Sequence, residues 1–157
     1  MKIERSILTV ILYLLVGVFV LIVGTMAIPA LRGYINFLFI MISGALLLLL
    51  GGALIFLTLK QKVKGRLKKF LILTGVSAGG YTIFSILHNL FYGLAEITSH
   101  ITIFSYLMKA FEVIFFLIAV FACPIGFLVG IIGSLVLLIK ERKKEEEVKE
   151  LFRDKDR

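Results

Sequence analysis

His88, Asn89, Tyr92, Glu96 and His100 fall in one otherwise greasy stretch, Thr74–His100, and Glu112 opens the next apolar run. These residue types can ligate a metal, move a proton or hold a ligand by hydrogen bonds. Two imidazoles and two carboxylates suit a divalent cation, but their spacing matches no established ligand pattern, and no metal is expected. His88 as a haem ligand lacks a second axial histidine on any other apolar segment. Nucleophilic catalysis has no base-and-orienter pair, and no GxSxG, HExxH or phosphate-binding glycine loop is present. Cys123, the single cysteine, lies within an apolar run and is expected to pack rather than react. The chemistry left to this stretch is recognition, without an enzyme activity and without a cofactor.

A helix must position these side chains. Projected at 100° per residue from Ser85, Thr74, Ala78, Tyr81, Tyr92, Glu96 and Ser99 fall within about 40° of one line, and Thr82, His88, Asn89 and His100 within about 60°. Ile83, Leu87, Leu90, Phe91 and Leu94 occupy the other side. Measured from Lys69, His88 lies about 28 Å along the helix and Glu96 about 40 Å. Only Tyr81, Thr82 and Ser85 are polar at mid-depth, where they can bond to neighbouring backbones. The ionisable members gather toward the far end, which favours a vestibule or lateral contact over a pathway.

The surrounding chain is membrane-like. Of its 157 residues 60% are hydrophobic and 18% charged, with a mean hydropathy of +1.05; a soluble globule has an apolar share nearer ~45–50%. Four apolar segments are expected to span a bilayer, at about 6–28, 36–59, 70–95 and 111–139. The first is read as a retained span, since its uncharged run is long for a signal-peptide core. A turn is expected at Pro29, Arg32 and Gly33, and a kink at Pro124. Residues 96–110 are too apolar for a flexible loop and should lie along the interface or extend the flanking helices.

Charge sets the orientation. Residues 60–69 hold six basic residues and no acidic one, and the tail 140–157 holds eight basic and seven acidic. Arg32 and Lys109 alone stand on the other side, so both termini are expected in the cytoplasm of a cell-membrane protein. Lys62, Lys64, Arg66, Lys68 and Lys69 should meet anionic lipid headgroups, which accounts for the net charge of +8 without nucleic acid. Tail pairs four apart, such as Lys143 with Glu147, would let the last helix continue into water.

Each segment also carries small or polar residues at helical spacing. They are Ser6, Thr9, Tyr13, Gly17, Gly24 and Ala27 in the first and Asn36, Ser43, Gly44, Gly51 and Thr58 in the second. Gly75 and Gly79 stand in the third, and Glu112, Ala119, Cys123, Gly126, Gly130 and Gly133 in the fourth. Lipid gives helices no hydrophobic drive toward each other, so close approach at small residues must hold them together. The fold expected is all-α: a domain over 1–139 forming an antiparallel four-transmembrane-helix bundle, with a charged cytoplasmic helical extension over 140–157. The function expected is that of a non-enzymatic accessory or binding subunit. His88, Asn89, Tyr92, Glu96, Glu112, Tyr81 and Ser85 are its candidate contacts, and another membrane protein or a second copy of the chain its macromolecular partner. A small transporter or channel using the same polar face, or a holin-like permeabilising protein, remains an alternative.

Overall fold

The structure is a computed structural model that describes residues 2–28 and 37–155. The turn expected at Pro29, Arg32 and Gly33 and the start of the second span at Asn36 lie outside the described residues. Every element described is helical: α1 (Lys2–Ala27), α2 (Phe37–Lys60), α3 (Gly65–Ile97), α4 (Thr102–Leu117), a π-helical turn (Ile118–Ala122) and α5 (Cys123–Lys155). Three stretches are long and apolar enough to cross a membrane, Leu38–Lys60, Gly65–Ile97 and Thr102–Glu150, and α1 adds a shorter apolar stretch, Ile7–Ile22.

The links follow from local chemistry. Between α2 and α3 the chain reverses through Lys62 (φ 51°) and Gly65 (φ 72°), a left-handed backbone that glycine adopts without a Cβ clash. Between α3 and α4 the Thr98 hydroxyl donates to the Leu94 carbonyl at 2.7 Å. The buried Ser105 hydroxyl donates to the Ala95 carbonyl at 3.4 Å, tying the start of α4 to the end of α3. Residues 102–110 therefore extend the following helix, the second of the two arrangements that their apolar spacing allowed.

Pro124 marks a change of winding. Its ring blocks the carbonyl four residues earlier and its nitrogen has no proton to donate. The preceding turn widens to π geometry, and the Cys123 N–H bonds five residues back to the Ile118 carbonyl. A single π turn is a common way to absorb such a disturbance within a continuous helix.

The long helix α3 packs against α2, α4 and α5. Its two seams are made by glycines on its neighbours. A Cβ on Gly51 of α2 would stand 2.7 Å from the Gly75 carbonyl oxygen and 3.1 Å from the Gly79 nitrogen. One on Gly126 of α5 would stand 2.5 Å from the Ser77 hydroxyl, one on Gly130 2.8 Å from the Thr74 nitrogen, and one on Gly133 2.6 Å from ring atoms of Phe70. These backbones approach at distances that any side chain would prevent.

The first helix differs from its sequence reading. Among the described residues of α1, Leu8, Leu12, Leu15 and Ile22 are buried, whereas Tyr13 is 60% exposed and a Cβ on Gly17 or Gly24 would meet nothing within 4 Å. Small residues mark an inner face only where backbones come close. Helix α1 instead packs through long side chains, including Phe19, whose ring lies 4.4 Å from that of Phe127 on α5.

Candidate functional site

The polar face of α3 serves two flanks. On one flank, His88 turns toward α4, with Nδ1 3.2 Å from the Glu112 main-chain carbonyl and 4.0 Å from the Glu112 carboxylate. The imidazole also packs on Phe116 at 5.2 Å between ring centres. Below it, Phe84 stacks on Phe115 at 5.9 Å, so an aromatic layer fills the α3–α4 seam. With side chains 28% and 21% exposed, His88 and Glu112 form a half-buried contact.

On the other flank lies a cavity of about 600 Å³ between α1, α2 and α3. Helix α3 contributes Tyr81, Thr82, Ser85 and Asn89, successive positions along one stripe. Measured from Lys69 they stand about 18, 20, 24 and 30 Å along the helix. Helix α2 contributes Phe39, Ser43, Gly44 and Leu48, and α1 contributes Ile22 and Thr25. Ile40, Met41 and Ile86, each more than half exposed, stand at its open side.

Most of the polar groups around this space already donate to backbone. Thr82 reaches across the seam to the Gly44 carbonyl at 2.9 Å. Thr25 donates to Ile22 at 2.8 Å, Ser43 to Ile40 at 3.1 Å, and the Asn89 amide to Ser85 at 2.8 Å. The Tyr81 and Ser85 hydroxyls are different: among the described residues neither has a hydrogen-bond partner. Both residues are half-buried and their hydroxyls open onto the cavity; wherever hydrocarbon rather than water fills that space, each unpaired hydroxyl costs roughly 1–3 kcal/mol, which an occupant with complementary groups would offset.

The floor of the cavity is closed. Beyond Tyr81 toward Lys69, Gly51 meets Gly75, and Leu54 and Leu71 are 0% and 1% exposed. Among the described residues the α2–α3 seam is tightly packed there.

The remaining candidates stand apart. Tyr92 is 54% exposed, and Glu96 and His100 are exposed; none of the three lines the cavity. The single vestibule expected from His88, Asn89, Tyr92, Glu96 and Glu112 is thus divided, with His88 and Glu112 on one side of α3 and Asn89 with Tyr81 and Ser85 on the other. A projection about one helix axis places residues on a face but not between particular neighbours. Thr25, Ser43 and Gly44 complete the site from α1 and α2, and their only sequence signal was a polar or small residue inside an apolar run.

Lys62, Lys64, Arg66 and Lys69 are exposed and Lys68 half-buried around the α2–α3 link, while Lys60 lies 6.0 Å from the centre of the Phe56 ring. Cys123 is buried in the seam opposite Gly80. Among the described residues no three His, Cys, Asp or Glu side chains come together in a way that would hold a metal ion. Comparison with protein-family models, curated proteins and solved structures finds no match to this chain.

Proposed function

We propose that this chain is a non-enzymatic binding subunit of a cell membrane, crossing the bilayer four times as an antiparallel bundle with both termini in the cytoplasm. The cavity beside α3 is its ligand site. The observation that carries this reading is the pair of unpartnered Tyr81 and Ser85 hydroxyls on the wall of a largely apolar cavity whose volume falls within the ~300–1,000 Å³ of small-molecule sites. If Lys69 sits at the cytoplasmic edge of a hydrocarbon layer about 30 Å thick, the cavity occupies the outer half, with Asn89 at the outer headgroups. The basic link 60–69 then rests on the inner leaflet, where each cation near the surface contributes about 1 kcal/mol. Helix α5 carries its charged end past that same leaflet.

A transporter would use the same face, but it needs a route past Tyr81 and Thr82. The Thr82–Gly44 hydrogen bond and the Gly51–Gly75 contact close the α2–α3 seam at that level, which supports binding over conduction. The test is native mass spectrometry of protein purified in mild detergent from its own membrane. Replacing Ser85→Phe should remove a co-purifying small molecule that the parent protein retains. An identical set of bound molecules in the two proteins would end the ligand-site reading.

A further inference from the structure

We infer that the cavity takes a neutral lipid with one hydrocarbon chain and a hydroxyl- or amide-bearing head, admitted sideways from the outer leaflet. This inference rests on the ligand-site reading above and adds the chemistry of the occupant. Charge is the first discriminator. Among the described residues no Lys, Arg, Asp or Glu lines the space, and an ionised headgroup drawn against this lining would lose its hydration with no opposite charge from it, at a cost of several kcal/mol. Phosphate, carboxylate and ammonium heads are disfavoured together.

The hydrogen-bond inventory supplies the second. Asn89 spends an amide proton on the Ser85 carbonyl, and Thr25, Ser43 and Thr82 spend their hydroxyl protons on backbone carbonyls. All four keep lone pairs that accept. Tyr81, Ser85 and the second Asn89 amide hydrogen still have protons to give. An occupant that satisfies this wall must accept near Ser85 and near Tyr81, about 6 Å deeper along the helix, and donate to the Asn89 carbonyl. A hydroxyl followed by an ester or amide carbonyl does both, whereas a plain hydrocarbon does neither.

Shape supplies the third. Among the described lining residues Ile40, Met41 and Ile86 are each more than half exposed, so the entrance inferred there is apolar and faces where lipid chains would lie. Asn89 alone marks a polar edge. At about 600 Å³ the space suits one chain with a small head, while a two-chain phospholipid exceeds the ~1,000 Å³ upper range of such sites.

The chain contains no tryptophan, so an introduced one is a clean reporter. Ile86→Trp places it at the cavity mouth, and Phe121→Trp places a control on the exposed face of the π turn. Each is reconstituted in phosphatidylcholine nanodiscs and titrated with a chain-brominated monoacylglycerol, which quenches indole on contact. Quenching at Ile86→Trp should half-saturate at a mole fraction at least about fivefold below that at Phe121→Trp, the equivalent of one net hydrogen bond. Adding Ser85→Phe should abolish that preference. Adding Asn89→Leu should weaken it by roughly threefold or more without changing the protection of Cys123 from thiol reagents, which reports intact packing. Brominated lysophosphatidylglycerol, single-chained but anionic, should show no preference for the mouth. Equal quenching of the two reporters by the neutral probe, or a mouth preference for the anionic probe as strong as for the neutral one, overturns the inference. Either result leaves the ligand-site reading to the mass-spectrometric test, which is indifferent to the chemical class of what is displaced.

Discussion

Gly130 offers the sharpest test of how α3 is held. A Cβ added there would crowd the Thr74 hydroxyl oxygen and would also meet the Thr74 main-chain nitrogen at 2.8 Å and its Cα at 3.0 Å. The last two are backbone atoms of a buried residue, so removing the hydroxyl is not enough and relief requires the helices to part. At Gly126 the Cβ meets instead the Ser77 hydroxyl at 2.5 Å, with its next neighbours no closer than 3.6 Å, and that obstruction is one removable atom. Gly52 is the reference, since a Cβ there meets nothing within 4 Å. Alanine is intrinsically better than glycine in a helix by about 0.8–1.0 kcal/mol, whereas overpacking a tight seam costs about 1–3 kcal/mol. Gly52→Ala should therefore be neutral or slightly stabilising, and Gly130→Ala should fall below it by about 1–3 kcal/mol. Cys123, buried in the same α3–α5 seam, provides the readout through its labelling by a thiol reagent during titration from dodecyl maltoside into dodecyl sulfate. Lost protection should be between about fivefold and somewhat over a hundredfold relative to Gly52→Ala. Adding Ser77→Ala should rescue Gly126→Ala almost fully, while Thr74→Ala should leave Gly130→Ala largely unrescued. Equal protection in Gly130→Ala and Gly52→Ala, or equal rescue at the two positions, would show that the seam yields and is not set by backbone approach.

Other outcomes follow from single contacts. The Ser134 hydroxyl is fully buried and has no hydrogen-bond partner among the described residues, so Ser134→Ala should be neutral or stabilising by up to about 1 kcal/mol in the same labelling titration; a loss above that size would mean that the hydroxyl does bond. His88 and Glu112 approach only to 4.0 Å at half-exposed positions, and a double-mutant cycle of His88→Ala with Glu112→Gln should give a coupling below about 1 kcal/mol, with a value near 2 kcal/mol contradicting the weak pairing described. Single cysteines at Lys64, Ser99 and Lys143 in a Cys123→Ala background should be labelled from the cytoplasm, the outside and the cytoplasm respectively by an impermeant maleimide, and any other order refutes the four-span topology. Thr82→Val should weaken the α2–α3 seam by about 1 kcal/mol through loss of the bond to the Gly44 carbonyl, and unchanged stability would argue that the bond contributes no net energy.

What the sequence made legible depended on whether one residue's own type decided its role. Gly51, Gly126 and Gly130 lie where helices touch because no other residue tolerates that approach, so their spacing alone located two seams. Gly17 has the same identity and no neighbour, because α1 is held by Leu12, Leu15 and Phe19; leucine in an apolar run carries no sign of which side it buries. The same limit divided the polar face of α3. Ser85 and His88 differ by about 60° around the helix, a difference that a projection treats as scatter. Two neighbouring helices convert it into opposite surroundings, cavity on one side and aromatic seam on the other. Which helix stands on which side depends on the order of packing around α3, and that is set by every seam at once. The site is therefore a consequence of where the glycines let α2 and α5 approach. Tyr81 and Ser85 face a cavity in the same α2–α3 seam in which, nearer Lys69, Gly51 packs on Gly75, and we expect that contact to set where α2 stands along the cavity. On this argument a bulky side chain at Gly51 should disturb the cavity about as much as one placed at Ser85, although Gly51 lines no part of it.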